Sequence, residues 1–510
     1  MASLEELHLL DESALAEIIW ENEESDPLSA IQALDVLRNR AWENNEFDSA
    51  LAWAERMESI ADKSNFWAEV ARAQFLQGAT HHIEDQLDAA IFDFNRAATT
   101  YESQFNYSQQ TRSLLKVCDV LQAKDEYEKM ALLAVRVREI AIREECIQEA
   151  GDACHVLATA LHYKDDEFND VFNSQNENQA LDVAREALRY FKACASDDDI
   201  AYSKDLIARI LYHQDKPNEA LELMVEVFDY WQGKANDQDS VEMAAESAMG
   251  LTFILGELDR QEEVLDVYRK TLSSLESIGS LYYICRVNMW MGDALLEQEK
   301  YDEAIQAFEK AKNLPIGVTE TFVFHRASWQ IAHTLSLMDK DIEAFNLALS
   351  NMDNFGIDPH FSESLFSRNL LTAAVSAHSL QDWEGCLKVL DRRSEIPIFI
   401  PDNATYIDFD ALRAKALFEL GYIEEAYDIA NTIIEGVTDD ELEAAVALCY
   451  EVRGLISEKL NHPGFEKDFI FATAIYVRND NIEHARRTAN RISPGSIERQ
   501  RMPVPSQWPL

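Results

Sequence analysis

The 510-residue chain is poor in glycine and proline, with 15 and 11 residues of each. Such contents argue against long disordered stretches and against folds built from many short strands and turns. No uninterrupted apolar run has membrane-spanning length, and the starting segment MASLEELHLLDE lacks a basic stretch followed by an apolar one. The sequence therefore predicts a helical cytoplasmic protein with neither a membrane span nor a secretory leader.

Motifs for catalysis and cofactor binding are also missing. The chain has no P-loop, no glycine-rich dinucleotide fingerprint, no H-E-x-x-H and no G-x-S-x-G. Its seven cysteines are scattered without a C-x-x-C pair, which favours reduced, buried packing residues. His155 and His162 lack the i, i+4 spacing of metal ligands on a helix. We therefore expect a non-catalytic protein with no cofactor and no metal site.

Basic residues are scarce relative to acidic ones, with 45 against 93 and a net charge of −48. A field of this sign repels nucleic acid phosphates and anionic lipid surfaces, so we expect no direct binding of nucleic acid or membrane. Acidic helix faces would keep a long chain soluble. They would also attract a basic partner protein, and the sequence alone leaves both interpretations open.

A repeated helical pattern dominates what is present. One position of the pattern recurs about every 40 residues and is mostly small or apolar. The positions are Ala50, Ala90, Met130, Ala180, Ala220, Val264, Ala304, Ala344, Cys386, Ala426 and Glu466. A small residue stands twelve positions before several of them, such as Gly292 and Ala332, and lets a preceding helix approach closely. The pattern predicts antiparallel helix hairpins stacked along the chain.

The sharpest unit begins at Cys285 and reads CRVNMWMGDALLEQEKYDEAIQAFEKAKNLP. Its Gly292, Ala304, Phe308 and Ala311 stand at the spacings of a tetratricopeptide helix pair, and the chain resembles this family over roughly residues 31 to 480. The family's usual repeat has about 34 residues, so a spacing near 40 indicates longer helices. The resemblance implies an all-α, right-handed solenoid of about eleven stacked hairpins that binds a protein or an extended peptide in its concave groove.

Two terminal segments flank the predicted array of residues 31–480. Residues 1–30 predict an N-terminal capping helix, with Leu7, Leu15 and Ile19 among its apolar positions. Residues 481–510 contain several arginines and end in a proline-containing stretch, which predicts a basic helix end and a flexible or docked tail. A docked tail, with Trp508 near its end, would regulate the acidic body from within the chain.

The resemblance also implies which residues line the groove, because the second, fifth, ninth and twelfth positions of each first helix do so in tetratricopeptide arrays. Arg286, Arg326 and Arg368 occupy second positions of three successive units. The other residues assigned to groove positions are Tyr202, Arg209, Tyr212, Met289, Trp329 and His333. Arginines beside aromatic rings suit a ligand with acidic and apolar residues.

Two alternatives to this groove follow from the same residues. Each arginine can instead pair with an acidic residue of a neighbouring unit, a surface contact that contributes roughly 0 to 1 kcal/mol. The acidic exterior can instead be the active surface, sequestering a basic protein or competing with nucleic acid for it.

Overall fold

The computed structural model describes residues 4–163, 174–234, 238–314, 321–354, 362–395, 403–436, 444–462, 465–479 and 481–492. All regular secondary structure in these ranges is helical, and the predicted all-α fold of stacked antiparallel hairpins is confirmed. The helices are α1 (Leu4–His8), α2 (Glu12–Asn22), α3 (Pro27–Glu43), α4 (Phe47–Lys63), α5 (Trp67–Ile83), α6 (Leu87–Ser103), α7 (Tyr107–Ala123), α8 (Tyr127–Arg143), α9 (Ile147–Tyr163), α10 (Ser174–Cys194), α11 (Asp197–His213), α12 (Pro217–Gly233), α13 (Gln238–Glu257), α14 (Gln261–Ile278), α15 (Leu281–Glu297), α16 (Tyr301–Lys312), α17 (Thr321–Leu337), α18 (Asp341–Met352), α19 (Glu363–Ser379), α20 (Trp383–Asp391), α21 (Asn403–Leu420), α22 (Ile423–Gly436), α23 (Ala444–Lys459), α24 (Phe465–Arg478) and α25 (Ile482–Ala489).

The chain divides into two compact units. The first contains Met1–Lys234 and Glu246–Arg260, and the second contains Ala235–Ala245 and Gln261–Leu510. Within each unit, consecutive helices pack as hairpins, such as α5 with α6 in the first and α15 with α16 in the second. First helices of adjacent hairpins also touch, as α7 does with α9 and α17 with α19. Each unit thus presents a row of first helices side by side.

Residues in the left-handed conformation end the early helices at a constant spacing. Asn45, Asn65, Asp85, Phe105 and Asp125, each 20 positions after the one before, have φ between 55° and 60°. After α3, Asn45 N donates to the Trp42 carbonyl at 3.0 Å and the next amide donates to the carbonyl five residues back at 2.8 Å, the two hydrogen bonds of a Schellman ending. Because α3 and α4 have 17 residues each and a three-residue turn follows each, a hairpin occupies the 40 residues that the sequence predicts.

Close contact within several hairpins depends on a glycine that faces a phenylalanine. A Cβ added at Gly292 on α15 would lie 2.4 Å from Cε1 of Phe308 on α16. Gly78 meets Phe94 in the same way, with 2.8 Å between the added Cβ and Cδ1. Both rings are buried. The pattern has a small residue twelve positions before its recurring position, and the space that the phenylalanine ring requires explains this residue.

The N-terminal segment forms two short helices where the sequence predicts one. Asp11 starts α2 by accepting a hydrogen bond from Ala14 N at 2.8 Å, which is a standard cap for a new helix. Leu7, Leu15 and Ile19 are buried in a cluster with residues of α3. At the other end, residues 493–510, including Trp508, lie outside the described residues.

The seven cysteines are free, and five of them are buried. Burial raises the pKa of the Cys118 thiol to about 12, which makes it inert at neutral pH. Cys194 is exposed at the end of α10, so the prediction of a buried packing residue is wrong there.

Candidate partner-binding surfaces

The residues predicted for the groove fall into two groups. Tyr202, Arg209 and Tyr212 lie on α11 in the first unit. The other six lie in the second unit, on α15, α17 and α19. Helix α17 contacts both α15 and α19, so the helices that carry these six residues stand side by side.

Three of the predicted residues come together between α17 and α19. The guanidinium carbon of Arg368 lies 4.7 Å from the ring centroid of Trp329, within the distance of a cation–π contact. Trp329 in turn stacks on His333, with 5.8 Å between ring centroids and an interplanar angle of 19°. Burial and then the charge of Arg368 lower the pKa of His333, so its imidazole is neutral at pH 7. We call these three residues the Arg368 cluster.

The Arg368 cluster has unused hydrogen-bonding groups. Arg368 is exposed, and no carboxylate of the described residues lies within ion-pair distance of it. Trp329 Nε1 is buried and finds no acceptor in the described part of the chain. A guanidinium that lies on an indole keeps its edge N–H groups available for a carboxylate. The cluster can therefore pair with an acidic group and pack against an apolar one.

Arg326 is engaged within the protein. Its Nη2 donates to Asp293 Oδ2 of α15 at 2.9 Å, and Gln330 Nε2 donates to the other carboxylate oxygen at 2.5 Å. Burial raises the pKa of Asp293, while the charge of Arg326 opposes this shift. For Arg326, the structure therefore favours the alternative in which an arginine pairs with an acid of the neighbouring unit.

Arg286 and Met289 differ in what they present to solvent. The Arg286 guanidinium carbon lies 4.9 Å from the Trp290 ring, and Nη1 donates to the Tyr282 hydroxyl at 3.2 Å. Tyr282 is 42% exposed, so this aromatic cluster reaches the surface. Met289, predicted as a groove residue, is only 3% exposed. Its flexible apolar side chain fills the interior between helices, and it contributes no contact surface.

The predicted residues of α11 have neighbours of their own. Arg209 Nη2 pairs with Asp205 Oδ2 at 2.9 Å, one helical turn earlier. Burial raises the pKa of Asp205, and Arg209 opposes the shift. The Tyr212 ring lies 5.1 Å from that of Phe253, between centroids. Tyr202 is 39% exposed and lines a cavity of the first unit.

This cavity has a volume of about 340 Å³. Its walls come mainly from α5, α7, α9 and α11, the first helices of four successive hairpins. Its charged and polar side chains are Arg112, Lys116, Asp119, Asp152, His155 and Asp199. The aromatic and aliphatic part includes Phe75, Leu115 and Tyr202. The cavity is therefore mixed in character, with acidic residues in excess.

Sequence reasoning missed Asp152 and His155 as lining residues. The fourth hairpin has a ten-residue insertion before Ala180, the recurring position of that unit. Groove positions counted back from Ala180 therefore fall in the wrong part of the first helix. Both residues lie 40 positions after Arg112 and Leu115, which line the same cavity. Counting forward along successive first helices would therefore have found them.

The described residues offer neither a metal site nor a membrane span. Within the described ranges, no group of three or more His, Cys, Asp or Glu side chains is placed to hold a metal ion. Among the helices described, none combines the length and the apolar character that crossing a bilayer requires.

A family model described as Tetratricopeptide repeat matches residues 286–315, the unit with the sharpest pattern. No curated protein matches the chain. Among solved structures, the apo form of RapI is 11% identical, with 76% of this chain and 99% of that chain covered and a TM-score of 0.44. A Rap protein complexed with Competence and Sporulation Factor is 12% identical, with 75% and 93% covered and a TM-score of 0.41. Yeast Tom70 is 12% identical, with 90% and 96% covered and a TM-score of 0.34.

Proposed function

We propose that this helical repeat protein, which carries a tetratricopeptide repeat at residues 286–315, is a non-catalytic scaffold that binds an extended acidic segment of a partner protein. Its fold is of a kind typical of protein-interaction scaffolds, since stacked hairpins present long, rigid surfaces. The binding surface proposed is the face of α15, α17 and α19 that carries Arg286, Arg326 and Arg368.

The observation that carries this proposal is the Arg368 cluster. In a chain with a net charge of −48, Arg368 is exposed without a carboxylate of the described residues in reach. It lies on Trp329, and arginine and tryptophan are the residue types that most often dominate binding energy at interfaces. A ligand carboxylate at Arg368, followed by an apolar residue against Trp329, would use both groups.

The spacing of the helices suggests the form of the ligand. Packed helices lie roughly 8–10 Å apart, and an extended chain advances about 3.3 Å per residue, so such a ligand meets a new first helix about every third residue. Arg368 and Arg286 belong to first helices two places apart. A second acidic or aromatic residue about six positions along the ligand would therefore meet Arg286 and Tyr282.

The proposal is tested by selecting twelve-residue peptides from a display library against the wild type, Arg368→Glu and Arg269→Glu. Arg269 is exposed on a second helix, α14, where it pairs with Asp266 at 3.0 Å, so its substitution makes the same change in charge away from the surface. We expect the wild type and Arg269→Glu to select peptides with acidic and apolar residues, and Arg368→Glu to lose them. Selection of the same peptides by Arg368→Glu would contradict the proposal.

The acidic exterior remains a second candidate, supported by the net charge of −48. A surface that sequesters a basic protein, or competes with nucleic acid for it, would select peptides rich in lysine and arginine. Such binding should weaken steeply with salt, because the Debye length falls from about 10 Å at 0.1 M to about 3 Å at 1 M. Binding through one arginine–carboxylate pair and apolar contact with Trp329 involves fewer charges and should depend less on salt.

A further inference from the structure

We infer that the cavity of the first unit is a binding site for an ammonium or guanidinium group, supplied by a lysine or arginine side chain of a peptide and held between Asp152 and Asp199. The inference rests on residues of α7, α9 and α11 and does not depend on the function proposed for the Arg368 cluster.

Both cations of the cavity already have acidic partners. Arg112 Nε donates to Glu149 Oε1 at 3.1 Å. Lys116 Nζ donates to Asp119 Oδ2 at 2.8 Å. Each cation therefore already pairs with one acid, and a phosphate or a ligand carboxylate that entered the cavity would also meet the remaining acidic groups.

Those remaining groups are Asp152 and Asp199. Asp199 accepts hydrogen bonds from Gln148 Nε2 at 2.7 Å and from Ser196 Oγ, which are both neutral donors. In the described part of the chain, neither carboxylate has a cation within ion-pair distance. Burial and then the charges of Asp199 and Glu149 raise the pKa of Asp152 to about 7. The charge of Arg112 and a hydrogen bond from Gln148 oppose this shift of the Asp152 pKa without cancelling it, so a bound cation would stabilise the ionised carboxylate further.

An unsatisfied imidazole points to the same ligand. His155 lines the cavity, and its Nδ1 is buried with no hydrogen-bond partner among the described residues. Burial lowers the pKa of His155 to about 4, so the ring is neutral at pH 7. A neutral imidazole can accept one N–H from a cation, whereas a protonated one would repel it. His155 is thus a suitable third contact for an ammonium or guanidinium group.

The walls fit the stem of a basic side chain. Phe75, Leu115 and Tyr202 supply apolar surface for methylene groups, and the faces of the aromatic rings are favourable for a cation. The volume of about 340 Å³ lies at the small end of the range of about 300–1,000 Å³ for ligand sites. The cavity is therefore suited to one or two side chains of a peptide, with the rest of the ligand outside.

The test uses ligand-observed NMR on the full chain with Nα-acetyl-lysine methylamide, its arginine counterpart and its neutral norleucine counterpart. We expect the lysine and arginine compounds to bind at least about tenfold more tightly than norleucine, because only they pair with the carboxylates. Equal binding of all three would mean that the cavity recognises apolar stems only and would overturn the inference. Binding of none of them would overturn it as well. This comparison needs no variant, so a folding defect cannot obscure it.

Variants then locate the site. Asp152→Asn and Asp199→Asn should each weaken binding of the lysine compound by about tenfold or more. The matched control is Asp182→Asn, which removes one exposed carboxylate from α10 in the same unit and should leave binding unchanged. Equal affinity in the wild type and in both cavity variants would refute the assignment. The Arg368→Glu variant should bind the lysine compound normally, so failure here and failure of the proposed function are distinguishable.

Discussion

The contact between Gly292 and Phe308 allows a quantitative test of how the hairpins pack. Gly292→Ala would place Cβ 2.4 Å from Phe308 Cε1 and 2.7 Å from Cδ1. The optimal separation of two carbon atoms is about 3.5–4.0 Å. Phe308 is fully buried, so its ring has no solvent-filled space to enter. The ring or the α15 backbone must therefore move by about 1 Å.

The size of the effect follows from two opposed contributions. In a helix interior, alanine is more favourable than glycine by about 0.8–1.0 kcal/mol. Overpacking a core typically costs about 1–3 kcal/mol, and a clash with ring atoms belongs near the upper end. We expect a net loss of about 1–2 kcal/mol in the free energy of unfolding. The matched control is Gly256→Ala on α13, where nothing lies within 4 Å of the new Cβ and a gain of up to about 1 kcal/mol is expected.

Urea unfolding followed by circular dichroism compares the three proteins, and hydrogen exchange at the amides of α15 and α16 shows whether the loss is local to the hairpin. A Gly292→Ala protein as stable as the wild type, together with a normal gain for Gly256→Ala, would show that this account of the hairpin contact is wrong.

Two further predictions concern backbone strain and pH. Ala195 has a φ of 54°, a left-handed conformation that costs an L-residue roughly 1 kcal/mol. Ala195→Gly should therefore raise the melting temperature of the protein. An unchanged or lower melting temperature would contradict this explanation. Because the pKa of Asp152 is about 7 in the folded protein against 3.8 for an ordinary aspartate, its ionisation should lower stability as pH rises from about 4 to 7. Asp152→Asn should remove this loss, because the neighbouring Asp199, Glu149, Arg112 and His155 are unchanged. The variant should therefore be more stable than the wild type at pH 8 but not at pH 4. If the stabilities of the two proteins differed by the same amount at every pH, the buried carboxylate would not be the cause.

The hairpin pattern could be predicted because packing imposes it on the sequence locally. Gly292, Ala304 and Phe308 are spaced by the geometry of two helices in contact, and a short turn with a left-handed residue keeps that spacing constant. The same register places Trp329 and Arg368, 39 residues apart, in direct contact. A periodic fold therefore turns sequence spacing into spatial proximity.

The details of the site depend on neighbours that spacing does not identify. Arg326 and Arg368 occupy equivalent positions, yet Arg326 meets Asp293 while Arg368 meets Trp329, because the preceding first helix carries different residues there. Met289 stands at a groove position but is apolar enough to pack inward. The cavity at Asp152 was missed because an insertion interrupts the period. Sequence spacing therefore predicts lining residues in the regular hairpins but not in a hairpin that carries an insertion.

The central claim, binding of an acidic segment at Arg368, is tested most directly by calorimetric titration of one selected acidic peptide into the wild type, Arg368→Glu and Arg269→Glu. We predict that Arg368→Glu weakens binding by at least about tenfold while Arg269→Glu leaves it unchanged, because only Arg368 would contact the ligand carboxylate. Equal affinities for all three proteins, or equal losses in both variants, would contradict the account.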